Sequence, residues 1–198
     1  MKTQVTLHPT RRCSSNRSVE RIRKRLPALR GRSVRISFLP ALTIRSGKLY
    51  SRHPRGQPVY AGSYIRKREV ILDCELRSRP RELARILTHE LFHFAWVRLG
   101  NPARRSYESL LRREFKQRAR GELGWSAESR KDGFSHPFGL PLTASLPWRD
   151  YICESFCDTA AWLYSGVHRH NEFTLSARYK KLRAQWFLET FRNRGISI

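Results

Sequence analysis

Apolar and polar positions change period along the chain, and each change predicts an element. Residues 18–30 (SVERIRKRLPALR) set Val19, Ile22, Leu26 and Leu29 at helical spacing, with Ser18 placed as N-cap and Pro27 marking a kink or an early end. In VRISFL, residues 34–39, Val34, Ile36 and Phe38 alternate with Arg35 and Ser37, the two-residue period of a strand with one wet face, and Pro40 closes it. Residues 45–58 are rich in Gly, Pro, Ser and Arg and predict an exposed loop or hairpin. Two further strands follow, 59–65 and 69–76, across the charged turn Arg66-Lys67-Arg68.

From Pro80 to Leu99 the period turns helical: Leu83, Ile86, Leu87, Leu91, Phe94 and Val97 recur at three- and four-residue steps. Pro80 suits the first helical turn, Glu82 the positive end of the helix dipole, and Gly100 a left-handed C-cap. Further helices are predicted over 104–120, 149–164 and 176–193, with a long connection at 121–147. The pattern predicts an α+β fold: a basic tail over 1–17, then one domain over 18–198, its sheet-and-helix part at 18–100 and its helical part at 101–198.

Composition changes this picture little. The 39% of hydrophobic residues can fill a core, and no apolar run nears the roughly 20 residues of a bilayer span. The start, MKTQVTLHPTRRC, has no apolar stretch of signal-peptide length, so the reading is a soluble, cytoplasmic protein with no membrane partner. Cys13, Cys74, Cys153 and Cys157 are too few for a disulfide scaffold; Cys153 and Cys157 read as small residues tightening a helix contact. The five tryptophans, interleaved with aliphatics, read as core or cleft wall.

Charge matters more. The net +24 raises nucleic acid as a partner, yet it is uneven: residues 1–60 hold 15 basic side chains against one acidic. The rest is mildly basic, so the Arg-rich first third is a question separate from the chemistry below.

That chemistry begins with His89-Glu90-Leu91-Phe92-His93 on the 80–99 helix. Four-residue spacing puts both imidazoles on one face, one turn apart, where they can hold one metal ion, and sets Glu90 beside them. With 7 His and 12 Glu in the chain, HExxH arises by chance about 0.015 times, and its helical context is met. Catalytic zinc normally takes a third protein ligand. A Gly and a His three and six residues past His93 are absent, because Trp96 and Leu99 stand there. His136 in the SHPFG loop is one candidate, and Glu154 on the 149–164 helix is the stronger. Asp158, four residues on, shares its face and can accept a hydrogen bond from a ligand imidazole.

HELFH at 89–93 and ESFCD at 154–158 resemble the HExxH zinc metallopeptidases whose third ligand is a glutamate, the gluzincins. The resemblance spans about Val34 to Ser165 in order of elements. It implies a zincin-like fold, a small twisted sheet packed on the HExxH helix and followed by a mostly helical half. It further implies Zn2+ held by His89, His93 and Glu154, with Glu90 as catalytic base and Asp158 as partner of His89. An edge strand beside the cleft would pair with an extended peptide or protein substrate. Tyr151, His136 and His168 are the candidates for stabilising the oxyanion, with His170 and Tyr179 behind them. The alternatives are a nucleic-acid-binding protein on a structural or degenerate zincin core, or an SprT-like protease of DNA-bound proteins, whose third ligand is a histidine.

Overall fold

Strand and helix periods are realised in a mixed α+β chain, seen in a computed structural model that describes residues 7–9, 16–52, 55–133, 145–192 and 195–198. The first half runs β1 (Leu7–Pro9), α1 (Asn16–Arg23), β2 (Leu29–Arg30), β3 (Val34–Leu39), β4 (Leu42–Arg45), β5 (Lys48–Ser51), β6 (Gln57–Pro58), β7 (Ala61–Tyr64) and β8 (Glu69–Asp73). A 3-10 turn (Cys74–Ser78) leads into α2 (Pro80–Arg98), followed by α3 (Asn101–Lys116), α4 (Trp125–Asp132), α5 (Leu146–Tyr164), α6 (Ala177–Phe191) and β9 (Ile196–Ser197).

The main sheet has the order β1-β3-β8-β7. Its first three strands are parallel, β7 returns antiparallel along β8, and β7 is thereby an edge strand. Val34, Ile36, Val70 and Leu72 are fully buried from this sheet and meet Leu83, Leu87, Leu91 and Phe94 of α2 in one core. Full burial of such side chains contributes roughly 1.5–3 kcal/mol each. The other side of α2 packs on α5, through Phe92 against Phe156 with ring centroids 5.9 Å apart. A hairpin of β4 and β5, joined by β6, forms a separate three-stranded sheet. No helix among the described residues is long and apolar enough to cross a membrane.

Several boundaries differ from the sequence reading. The first helix begins at Asn16, so Ser18 lies inside it, and it ends at Arg23; Leu29 belongs instead to a parallel pair with Ile196 near the C-terminus. Pro27 lacks an N–H and disfavours helix just before it, while Leu26 and Leu29 are buried all the same. The periodicity there reported burial, not helix. Gly100 is no left-handed cap: α2 closes on Leu99, whose N–H reaches Ala95 and Trp96 carbonyls, and Gly100 (φ −63°) caps the start of α3. Val97 is 45% exposed, off the core. The connection at 121–147 contains α4, whose single buried residue, Ala127, leaves no apolar stripe to reveal it.

Candidate metal centre

α2 is buried on most of its circumference, so its few half-open positions define a stripe. Glu82, Ile86, His89 and His93 follow one another at three- and four-residue steps on that stripe. Glu154 is the matching half-buried position on α5, at 14% side-chain exposure against 12% for His89 and 20% for His93. The close packing of α2 on α5 therefore brings two local i, i+4 motifs face to face.

The donor atoms converge. His89 Nε2 lies 3.2 Å from His93 Nε2 and 3.2 Å from Glu154 Oε2, and the third edge, His93 Nε2 to Glu154 Oε2, is 3.9 Å. Ligands at about 2.0–2.1 Å from a tetrahedral zinc stand about 3.3 Å apart, so the triangle has the size of one face of such a site. His89 Nδ1 is 2.7 Å from Asp158 Oδ1, and a proton on that nitrogen leaves the Nε2 lone pair directed at the triangle. His89, His93 and Cys157 also place one donor each within 4.8 Å of one another. Cys157 Sγ, however, lies 3.5 Å from His93 Nδ1, the nitrogen on the opposite edge of the ring from the one facing His89. Because Asp158 already engages His89 Nδ1, a metal shared by both imidazoles through Nε2 would have Glu154 Oε2 as its neighbouring donor.

Charge balance follows from this geometry. Burial by itself pulls the His89 imidazolium down, and the charge and hydrogen bonds of Asp158 and Glu154 outweigh it, holding the group well above its usual value, so a metal at Nε2 would take the place of the proton on that nitrogen. Glu154 is pushed up by burial but brought down to about 2 by His89, His93 and Arg130. Such an acid stays ionised at neutral pH, as a ligand must.

Four residues that support the site went unseen in the sequence. The N–H of Ala127, in the first turn of α4, donates to Asp158 Oδ2 at 3.0 Å, so the carboxylate that orients His89 is itself held by a helix start. Gly124 caps that helix, and a Cβ there would overlap the Asp158 carboxylate. Gly124→Ala is thus expected to lower divalent-metal affinity about 10–100-fold while the chain stays folded, as measured by chelator competition. Affinity within twofold of the parent would show that this contact orients nothing. Arg130 of α4 stands 3.4 Å from Glu154 Oε1, occupying the carboxylate oxygen that faces away from the imidazoles and leaving Oε2 for single-oxygen ligation. Ser63 of β7 donates to Glu90 Oε2 at 2.5 Å and fixes that side chain beside the triad.

A cleft of about 490 Å³ opens beside the triad and is lined by His89, Glu90 and Asp158, though not by His93 or Glu154. Residues 57–61, leading into β7, form one wall and α4 the other, with Trp125, 61% exposed, at the rim. Its end is tied by Glu172, which accepts the Trp125 N–H at 2.7 Å and pairs with Arg85 at 2.8 Å.

Of the sequence candidates, His89, Glu90, His93, Glu154 and Asp158 come together. Tyr151 does not join them: it is fully buried, its hydroxyl donates to Glu122 at 2.6 Å, and burial and Glu122 push its ionisation well above the usual range. Three residues back along α5 falls about 60° short of a full turn, enough to aim the ring into the core. His168 is exposed and does not line the cleft, and His170 is bound to Glu82 at 2.6 Å. Tyr179 reaches Gln117 instead. His136 lies outside the described residues. Cys153 and Cys157 do more than tighten packing, since both Sγ atoms stand 3.5 Å from His93 Nδ1 and back that ring as Asp158 backs His89. The hydrogen bond with Cys157, helped by His93, lowers the Cys153 thiol to about 6 despite burial. Compared with protein-family models, curated proteins and solved structures, the chain matches none.

Proposed function

We propose that this chain is a zinc-dependent hydrolase with a zincin-like core, and specifically a small metallopeptidase of the glutamate-ligand kind. The observation that carries the reading is the triangle of His89 Nε2, His93 Nε2 and Glu154 Oε2, with edges of 3.2, 3.2 and 3.9 Å, on a helix that also bears Glu90. Zinc held there would supply Lewis acidity, polarising a carbonyl and lowering the pKa of water towards about 7.

The rest is the work of this chain's residues. Ser63 holds Glu90 Oε2, and the carboxylate takes a proton from the attacking water and later gives it to the leaving amine. Asp158, anchored by Ala127, keeps the His89 proton on Nδ1. Arg130, which lines the cleft and stands beside Glu154, replaces Tyr151 as the candidate for stabilising a developing oxyanion. An extended peptide fits against the strand segment that walls the cleft and leads into the edge strand β7. Glu154 beside the two imidazoles favours the glutamate-ligand reading over an SprT-like one, which requires a third histidine.

Metal content tests the proposal directly. Elemental analysis of the purified chain is expected to give one zinc per molecule, and near zero for Glu154→Ala, alongside cleavage of an unstructured protein substrate by the parent. A folded parent that carries no zinc and takes none up from solution overturns it.

A further inference from the structure

A second pocket, of about 210 Å³, lies between α1 and the start of α2 and shares no lining residue with the metal cleft. Its floor is apolar, with Ile22, Ala84 and Val167 each 4% exposed. Its rim is cationic: Arg21 from α1, Arg25 from the turn that follows it, and Arg81 from the first turn of α2, with Ser18 beside them. Among the described residues no carboxylate lines it. The acid nearest in sequence, Glu20, is committed to Arg23 at 2.6 Å, and Glu82 is held by Arg85 and His170. Among the described residues neither Arg21 nor Arg25 has an acidic partner.

Two contacts order this rim before any ligand arrives. Arg81 donates Nη2 to the Arg169 carbonyl at 2.8 Å. Arg25 lies across Gly166, where a Cβ would stand 2.7 Å from Nη1, so any larger residue there would displace the guanidinium. Three like charges gathered round one concavity repel one another, and an anion relieves that repulsion. Planar guanidinium forks with a hydroxyl suit a tetrahedral oxyanion that can accept from several sides at once.

We propose that this pocket binds a phosphate group, carried either by a nucleic-acid backbone or as a free or terminal phosphate. It gives the basic first third of the chain a discrete point of engagement, independent of the metal centre.

The test uses the full chain and compares the triple variant R21Q/R25Q/R81Q with R45Q/R66Q/R105Q, which removes the same charge from exposed positions elsewhere. Binding of a short labelled DNA duplex is followed by anisotropy, and inorganic phosphate by calorimetry and by its effect on the thermal midpoint. The pocket variant is expected to bind at least tenfold more weakly than the control variant. Loss confined to DNA assigns the site to backbone phosphodiesters, and loss confined to inorganic phosphate, with its thermal shift, assigns it to free or terminal phosphate. Equal weakening in the two variants, or no binding of either probe by the parent, overturns the proposal.

Discussion

Glu90→Gln is expected to lower peptide hydrolysis by about 10²–10⁴-fold while zinc content and thermal midpoint stay at parental values. Glutamine keeps the shape of the side chain and can still accept from Ser63, whose hydroxyl bonds Glu90 Oε2 at 2.5 Å. What it loses is the ability to take a proton. Glu90 is not one of the three converging donors, so its loss should spare the metal. His93→Ala provides the contrast: it removes a donor 3.2 Å from His89 Nε2 and should abolish zinc and activity together. Purified Glu90→Gln protein that keeps more than a tenth of parental turnover would exclude Glu90 as the base.

The second large effect concerns stability. Arg183 is fully buried and pairs with Glu114 at 2.6 Å and Glu122 at 2.7 Å. Glu122 further accepts from Tyr151 at 2.6 Å and from Lys131 at 3.0 Å. Arg183→Met leaves two carboxylates in the interior without their main counter-charge, which costs about 3–5 kcal/mol. For a chain of this size that is a fall in thermal midpoint of about 6–20 °C. Lys181→Met, two residues away on the exposed side of α6, should stay within about 0.5 kcal/mol.

The pH dependence of this network has a definite sign. Burial raises the Glu122 carboxyl, but Arg183, Lys131 and Tyr151 outweigh it and bring it down to about 2, against an ordinary 4.5. A depressed folded-state value stabilises the fold fully above pH 4.5, and that contribution is lost as pH falls from there towards 2. The Arg183→Met penalty should therefore be largest near neutrality and shrink in acid, where Glu122 of the variant takes up a proton. Urea denaturation of parent and variant at the two pH values reads this directly, and a penalty that grows in acid would refute the assignment.

How much of this was legible depended on the range of the interaction. His89, Glu90 and His93 could be read because four-residue spacing on a helix is local geometry, and Glu154 with Asp158 could be read for the same reason. Their meeting across 60 residues was inferred from a catalytic metal's need for a third ligand and from two carboxylates on one face of a mostly apolar helix, since no periodicity says which helix packs on which. Tyr151 misled because nearness in the helical projection ignores the partner: Glu122 waits on the buried side and takes its hydroxyl.

By itself, then, the sequence determined the strand alternation of 34–39, the long helix carrying the histidines and the pairing of like positions within each helix. Hydrophobic period and i, i+4 spacing are written in consecutive residues. The tertiary structure alone decided the helix of residues 125–132, held by Asp158 and Glu172 at its start where its own sequence offers little to bury. It alone decided that Arg130 and Ser63 reach the site, and that Arg183 and Glu122, drawn from stretches that look like ordinary polar surface, form an ionic core. Those outcomes rest on desolvation and charge pairing between segments distant in the chain, which no local pattern encodes.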